Sequence, residues 1–270
     1  MIILKDRFDP VLKEHLAIIK QYHKIGFYLE DDGILDKASR RYLLQVALKP
    51  YHHAVIVDKI TADDIVITQD NAATYALIQQ GQLHLLAKNT RKIILAKGWY
   101  LSTILEAHNH GKRLTHVRSM TNLALTLAKW HHVDQNKVKI CAMMHDICKQ
   151  LAYDKQKQLM EKYFPAYLSQ DPALYHQYLG AWFLRHYLGI YDQKMYDAIK
   201  YHTTGEATSK LAMIIFIADK LDPSRGYDIS KQLQVVKKDL RAGFALVKAQ
   251  QIAYITKVEG KEIGTIGNRL

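Results

Sequence analysis

The chain has 270 residues, enough for two modest domains or one large one. Hydrophobic residues make up 49% of it and aromatics 10%, which supports a real core, and no apolar run of about 18 residues occurs, which excludes an expected membrane-spanning helix. The formal charge of +12 suits nucleotides, nucleic acid or acidic membranes, or reflects solvated lysines, but no lysine block exceeds two residues and no arginine-rich tail is present, which argues against a dedicated nucleic-acid binder.

The N-terminus, Met1-Ile2-Ile3-Leu4-Lys5-Asp6, lacks the basic start and long apolar stretch of a secretion signal. Cys141 and Cys148 sit in one apparent helical stretch, so two reduced thiols are expected, in keeping with a cytoplasmic protein. Residues 1–70 alternate between short helical and short strand-like pieces. Ala54-Val55-Ile56-Val57 and Asp64-Ile65-Val66-Ile67 are β-branched runs bounded by polar residues. From about residue 85 the pattern is helical. Leu123, Leu127 and Trp130 keep helix spacing with Ala124 and Ala128 beside them, and Ile214, Ile215, Ile217 and Ala218 predict a buried helix. Breakers fall at Phe164-Pro165, Asp171-Pro172, Gly189, Gly205 and Asp222-Pro223. A boundary near Lys97-Gly98 divides the chain into residues 1–97 and 98–270.

Six metal-capable side chains follow in order through the second part: His116, the pair His145-Asp146, His176, His202 and Asp219. Imidazole and carboxylate are the ligands of hydrolytic two-metal centres. His145-Asp146 follows the apolar stretch Ile140–Met144, and on one helix the two side chains would point about 100° apart. Asp219 closes an apolar run, where a carboxylate needs a partner such as a metal ion. With 14 histidines, chance supplies some such spacings, and His108, His110, His131 and His132 are read as ordinary surface or core residues.

The neighbourhoods of the six are more specific than the residues alone. Lys112–Ser119 around His116, Met144-His145-Asp146-Ile147-Cys148-Lys149, His176-Gln177-Tyr178-Leu179-Gly180-Ala181, Ala198-Ile199-Lys200-Tyr201-His202-Thr203-Thr204-Gly205 and Ile217–Arg225 resemble the HD superfamily of metal-dependent phosphohydrolases. Within it they resemble the YqeK-type branch, the symmetrical diadenosine tetraphosphate hydrolases. The resemblance spans residues 98–258, and Lys220 departs from it, since family members commonly carry an aromatic residue there. It implies a mainly α protein, with an all-helical HD-domain bundle after a small truncated α/β domain. It also implies two metal ions held by His116, His145, Asp146, His176, His202 and Asp219, iron first and manganese as the alternative. Asp146 would bridge the ions, with Lys149 and Arg225 neutralising phosphate charge and Arg118, Thr203, Thr204 and Gly205 contacting substrate. The implied reaction cleaves diadenosine tetraphosphate at its centre to give two ADP. Another nucleotide substrate on the same metals is the alternative. The implied partners are a nucleotide and, as a further option, a second copy of the chain, with no membrane.

The first hundred residues carry a second resemblance. Arg7-Phe8-Asp9-Pro10-Val11-Leu12-Lys13-Glu14-His15 is similar to the nucleotidyltransferase signature G-x-F-D-P-x-H-x-G-H, with Phe8, Asp9, Pro10 and His15 kept. Asp6, Leu12 and Glu14 replace its first glycine, first histidine and second glycine. Tyr42–Tyr51 is similar to the mid-domain helix of nicotinate mononucleotide adenylyltransferases. Asp70-Asn71-Ala72-Ala73-Thr74-Tyr75 stands where that family has its S-S-T-x-x-R phosphate loop, whose serines, threonine and arginine are absent here. This implies either a degenerate remnant of a fused adenylyltransferase or an unrelated small α/β cap, without catalysis and with a role in packing, dimerisation or shaping the substrate side. An active adenylyltransferase fused to an HD domain is the other alternative, and the missing signature residues weigh against it.

Overall fold

The structure is a computed structural model that describes residues 1–68 and 71–259. Asp70, the first residue of the phosphate-loop stretch, lies outside the described residues. The chain divides into two compact units, Met1–Ile104 and Leu105–Leu270.

The first unit is built on four parallel strands, β1 (Ile2–Asp6), β2 (Ile25–Leu29), β3 (Ala54–Val57) and β4 (Ile65–Thr68), in the order β3-β2-β1-β4. Helices α1 (Lys13–Ile19), α2 (Lys37–Leu48), α3 (Asn71–Gln79) and α4 (Lys88–Lys97) connect and follow them. The two central strands are buried, as parallel strands covered on both faces must be, and Ile3, Leu4, Ile25 and Phe27 are fully enclosed. The edges are not: Ile65 is 64% exposed on β4 and Val55 38% on β3. This order matches the first four strands of a doubly wound sheet, a fold that continues with further strands. The unit stops at four among its described residues, in line with a truncated α/β domain.

The kept residues of the degenerate signature hold this unit together. Phe8 packs edge-on against His15, ring centroids 5.5 Å apart. His15 Nδ1 accepts from Leu12 N at 3.0 Å, and its Nε2 lies 3.1 Å from Asp6 Oδ2, all buried. Asp9 accepts from the amides of Ile34 and Leu35 and from the Tyr100 hydroxyl. Arg40 is fully buried and donates to the carbonyls of Arg7, Glu30, Asp31 and Leu35 at 2.8–3.1 Å. Leu12, at the lost histidine position, is in the core.

The second unit is helical throughout its described residues: after α5 (Leu101–His108) come α6 (Gly111–Trp130), α7 (Gln135–Met144), α8 (Tyr153–Tyr163), α9 (Tyr175–His186), α10 (Gln193–Lys200), α11 (Lys210–Lys220), α12 (Ser230–Lys238) and α13 (Leu240–Glu259). Side-chain caps set several starts. Asp134 accepts from the amides of Asn136 and Lys137 on α7, Asp192 from Met195 on α10 and Ser209 from Ala212 on α11. On α6 the buried Val117, Met120, Ala124, Leu127 and Ala128 form one stripe at helical spacing, which packs against α7 and α11. α11 is buried from Leu211 to Asp219 without a break, the first eight of these residues being apolar. No described helix is long and apolar enough to cross a membrane. Cys141 and Cys148 are both free and buried.

Candidate metal centre

Five segments bring the six ordered side chains together. His116 comes from the first half of α6, His176 from the first turn of α9 and Asp219 from the last turn of α11, while His202 lies just past the end of α10. One expectation is corrected here. His145 and Asp146 are not within a helix, because α7 ends at Met144 and the chain tightens into turns, with Ile147 N bonded to Met144 O and Lys149 N to Asp146 O. Gly180 on α9 is what allows that turn to sit so close. A Cβ there would lie 3.1 Å from both the His145 carbonyl and an Ile199 methyl.

Five of the six fall into two overlapping ligand groups, His116, His145 and Asp219, and His145, Asp146 and His202, whose donor atoms lie within 4.8 Å of one another in each. Asp146 is at the centre. Its Oδ1 lies 3.2 Å from His176 Nε2 and 3.5 Å from His202 Nε2. Its Oδ2 lies 3.5 Å from His145 Nε2 and 4.0 Å from His116 Nε2. The two oxygens therefore face different histidines.

Three imidazoles are held by their outer nitrogens. Nδ1 of His116 is 2.7 Å from Asp222 Oδ2, Nδ1 of His145 is 2.7 Å from the Ala142 carbonyl, and Nδ1 of His202 is 2.7 Å from the Ile199 carbonyl. Each of these partners accepts, so each Nδ1 carries the proton and each Nε2 presents a lone pair to the cluster. Buried His116 Nε2 and His145 Nε2 have no hydrogen-bond partner, although Asp219 Oδ1 is 3.2 Å from the former and 4.0 Å from the latter. Lone pairs facing carboxylate oxygens across such gaps repel unless a proton or cation lies between. Burial pushes the His145 imidazole down to about 4, which removes the proton as the answer at that nitrogen at neutral pH. The donor set fits metal cations.

The other charges support this. Burial also pushes His176 down to about 4. Burial by itself would raise the Asp146 carboxyl, but the His145, His176 and His202 imidazoles around it outweigh burial and hold it well below the usual carboxylate range. Burial likewise opposes ionisation of Asp219, and Lys220 beside it, with the His116 imidazole close by, holds it well below that range. At His116 burial disfavours the proton, yet Asp219 and Asp222 outweigh it and raise its affinity for one. Burial lowers the Lys149 ammonium.

The structure brings most of the other expected residues to the rim. Lys149 Nζ lies 3.1 Å from His176 Nδ1 and 3.2 Å from the Ala173 carbonyl. Arg225 Nη2 is 3.4 Å from Asp219 Oδ1 with its side chain 45% exposed. Thr203 Oγ1 is 3.2 Å from His202 Nε2 and its amide donates to Gln177 Oε1. The Thr204 hydroxyl is buried without a hydrogen-bond partner. Gly205 has φ +67°, and a Cβ would meet the Phe216 ring at 2.8 Å, so only glycine fits there. Arg118 is not brought to the cluster. It lies two residues past His116, about 200° around the helix, and pairs with exposed Glu106 at 2.6 Å.

Three residues act at the cluster that the sequence reading did not select for it. Arg113, three positions before His116 and on the same face of α6, donates to Asp146 Oδ2 at 2.5 Å. Lys220 Nζ is 2.7 Å from Asp219 Oδ2. Fully buried Asp222 holds His116 while accepting from Ser224 N at 3.0 Å. The helical phase of Arg113 was a usable signal, whereas the Asp222–His116 contact spans 106 residues and had none.

The HD domain family model matches residues 113–224. A symmetrical bis(5'-nucleosyl)-tetraphosphatase of Halalkalibacterium halodurans is 30% identical over 162 residues, which cover 57% of this chain and 84% of that protein. The chain belongs to the HD-domain family. A probable nicotinate-nucleotide adenylyltransferase/Ap4A hydrolase of Mycoplasma pneumoniae is 33% identical over 157 residues, 54% of this chain and 45% of that protein. The corresponding Mycoplasma genitalium protein is 28% identical over 182 residues, 64% of this chain and 52% of that one. This HD-domain chain thus spans about half the length of these two relatives. A crystal structure of a predicted HD superfamily hydrolase involved in NAD metabolism from Clostridium acetobutylicum shares the fold, with a TM-score of 0.55, 24% identity, and coverage of 63% of this chain and 93% of that one.

Proposed function

We propose that this chain hydrolyses a dinucleoside polyphosphate at a two-metal centre, by symmetrical cleavage of diadenosine tetraphosphate to two ADP. The observation that carries the reading is the division of the Asp146 oxygens, one toward His176 and His202 and the other toward His145 and His116. A carboxylate so placed is suited to bridge two ions. His116, His145 and Asp219 would complete one ion's ligands and His176 and His202 the other's. Mixed imidazole and carboxylate donors suit iron, with manganese as the alternative. When bound, such ions polarise a phosphoryl oxygen and lower the pKa of water.

The chain's own residues do the rest. Lys149, Arg113, Lys220 and Arg225 ring the cluster with positive charge, where non-bridging phosphate oxygens gain charge during attack. The Thr203 hydroxyl offers a neutral donor beside them. Water adds to one of the two central phosphorus atoms, the bridging P–O bond breaks, and each half leaves as ADP. Asp222 keeps the His116 lone pair aimed inward. The relatives named symmetrical bis(5'-nucleosyl)-tetraphosphatase and Ap4A hydrolase support this choice of substrate.

Adenylyl transfer is not part of the proposal. In the first unit the kept signature residues Asp9 and His15 are committed to holding loops and caps, and Leu12 is in the core. The test is turnover of diadenosine tetraphosphate by the iron- or manganese-loaded chain, with products resolved by ion exchange. ADP as sole product is expected. ATP plus AMP would overturn the cleavage position, and no turnover with metal bound would overturn the substrate.

A further inference from the structure

A cavity of about 470 Å³ lies in the second unit beside the cluster, bordered on one side by Lys220 and Arg225. These are the cations that contact Asp219. The rest of its lining has a different chemistry. α13 contributes Val247, Gln250, Gln251 and Tyr254, spaced i, i+3, i+4 and i+7, so one face of the helix lines the cavity. Tyr227, after the Pro223–Arg225 turn, and Gln232 of α12 complete this part of the lining. Tyr254 is 58% exposed and Tyr227 44%, unusual exposure for two rings that line one cavity. The Tyr227 hydroxyl donates to the Lys220 carbonyl, which ties that ring to the rim of the cluster. Gln232 Nε2 donates to Gln250 Oε1 at 3.3 Å, so the amides are mutually oriented. Lys248 of the same helix donates to the Gly205 carbonyl at 2.8 Å, which anchors α13 to the segment after His202.

We infer that this cavity receives a purine base of the substrate. The inference rests on the dinucleotide reading above and assigns that site its base-recognising side. Aromatic rings stack on any base, most strongly on the larger purines, and carboxamides offer the paired donor and acceptor that a purine edge requires. A polyphosphate chain needs cations instead, and those stand where the cavity meets the cluster. The order along the wall is therefore metal ligand, phosphate cation, base pocket. A nucleoside phosphate has the same order along its length.

The experiment measures ADP and inorganic pyrophosphate binding by calorimetry on the metal-loaded full chain, with Gln250→Ala, Tyr254→Ala and Tyr254→Phe variants. Both positions are exposed on α13, so the fold is expected to survive. The wild-type chain should bind ADP at least ~10-fold more tightly than pyrophosphate, because base stacking adds to the phosphate contacts. Gln250→Ala and Tyr254→Ala should erase most of that advantage, leave pyrophosphate binding unchanged and raise KM for diadenosine tetraphosphate with kcat retained. Tyr254→Phe, which keeps the ring, should bind ADP like the wild type. ADP binding unchanged in both alanine variants, or lost in parallel with pyrophosphate binding, would overturn the assignment. If the wild type turns over no dinucleoside tetraphosphate, the proposed reaction fails, while the ADP arm still decides whether the cavity reads a base.

Discussion

The two units bury polar side chains for opposite ends. In the first, Asp9, His15 and Arg40 are all saturated by nearby backbone and side-chain groups. In the second, His116 and His145 have their outer nitrogens satisfied and their inner nitrogens left without a hydrogen-bond partner. A buried polar group normally finds a partner, because leaving it unpaired costs free energy. A set of unpaired lone pairs converging on carboxylates marks a site that waits for a cation. A fully satisfied set marks residues kept for the fold. The contrast separates a cluster suited to hold cations from a scaffold whose buried Asp9, His15 and Arg40 are satisfied.

The strongest way to break the comparison is Asp146→Ala. It removes the carboxylate between the two ligand groups and is expected to lower turnover by more than ~10³-fold, about 4 kcal/mol or more. Metal analysis should show the ions lost, while circular dichroism retains the helical signal. Near-normal turnover by this variant would sink the two-metal reading.

Next in size is the pH dependence of the metal-free chain. The folded-state values of His145 and His176, about 4, lie below the ordinary value of 6.5. The unfolded chain therefore binds more protons between these limits, and stability falls as pH drops from about 6.5 to about 4. Each histidine contributes up to about 3 kcal/mol to that loss. His116 acts in the opposite sense, since its raised affinity for a proton adds stability on the acid side that is lost as pH rises. Denaturant unfolding of chelated protein at several pH values checks the net slope. A flat profile across this window would contradict the burial of neutral imidazoles.

Arg40→Met tests the other unit. It leaves the carbonyls of Arg7, Glu30, Asp31 and Leu35 without their donor and is expected to cost roughly 3 kcal/mol of that unit's stability. The metal content and kcat of the HD unit should not change. A lost metal centre in a still-folded variant would show that the scaffold takes part in the chemistry.

The smallest effect is expected at Asp222. Asp222→Asn keeps the Ser224 cap but weakens the hold on His116 Nδ1, and should reduce metal affinity or activity by about 10–100-fold. Metal titration under competition with a chelator gives the number directly. An unchanged affinity would mean that His116 needs no outer partner.

How much of this could be read from the chain depended on range. The six ordered side chains were legible because each sits in its own short motif, and the structure does bring them together, His176 through its contact with Asp146. The β-branched runs that became β3 and β4 were legible for the same reason. β1 and β2 were harder, since Lys5 and Gly26 interrupt their apolar patterns. The end of α7 at Met144 was hidden because nothing in His145-Asp146-Ile147-Cys148 is a helix breaker, and the turn is set by α9 packing through Gly180. Helical phase puts Arg113 and not Arg118 on the His116 face. Asp222 read as a turn residue, and its cap on Ser224 bears that out, but its bond to His116 exists only once α6 and the end of α11 pack together.

The most direct test of the central claim follows metal and turnover in the same samples. The iron- or manganese-loaded chain is assayed with diadenosine tetraphosphate, dialysed against a chelator, assayed again and then reloaded, with metal counted at each stage. The account predicts two ions per chain, turnover that disappears with them and turnover that returns on reloading. Full turnover by the metal-free chain, or a folded chain that takes up no metal, would contradict it.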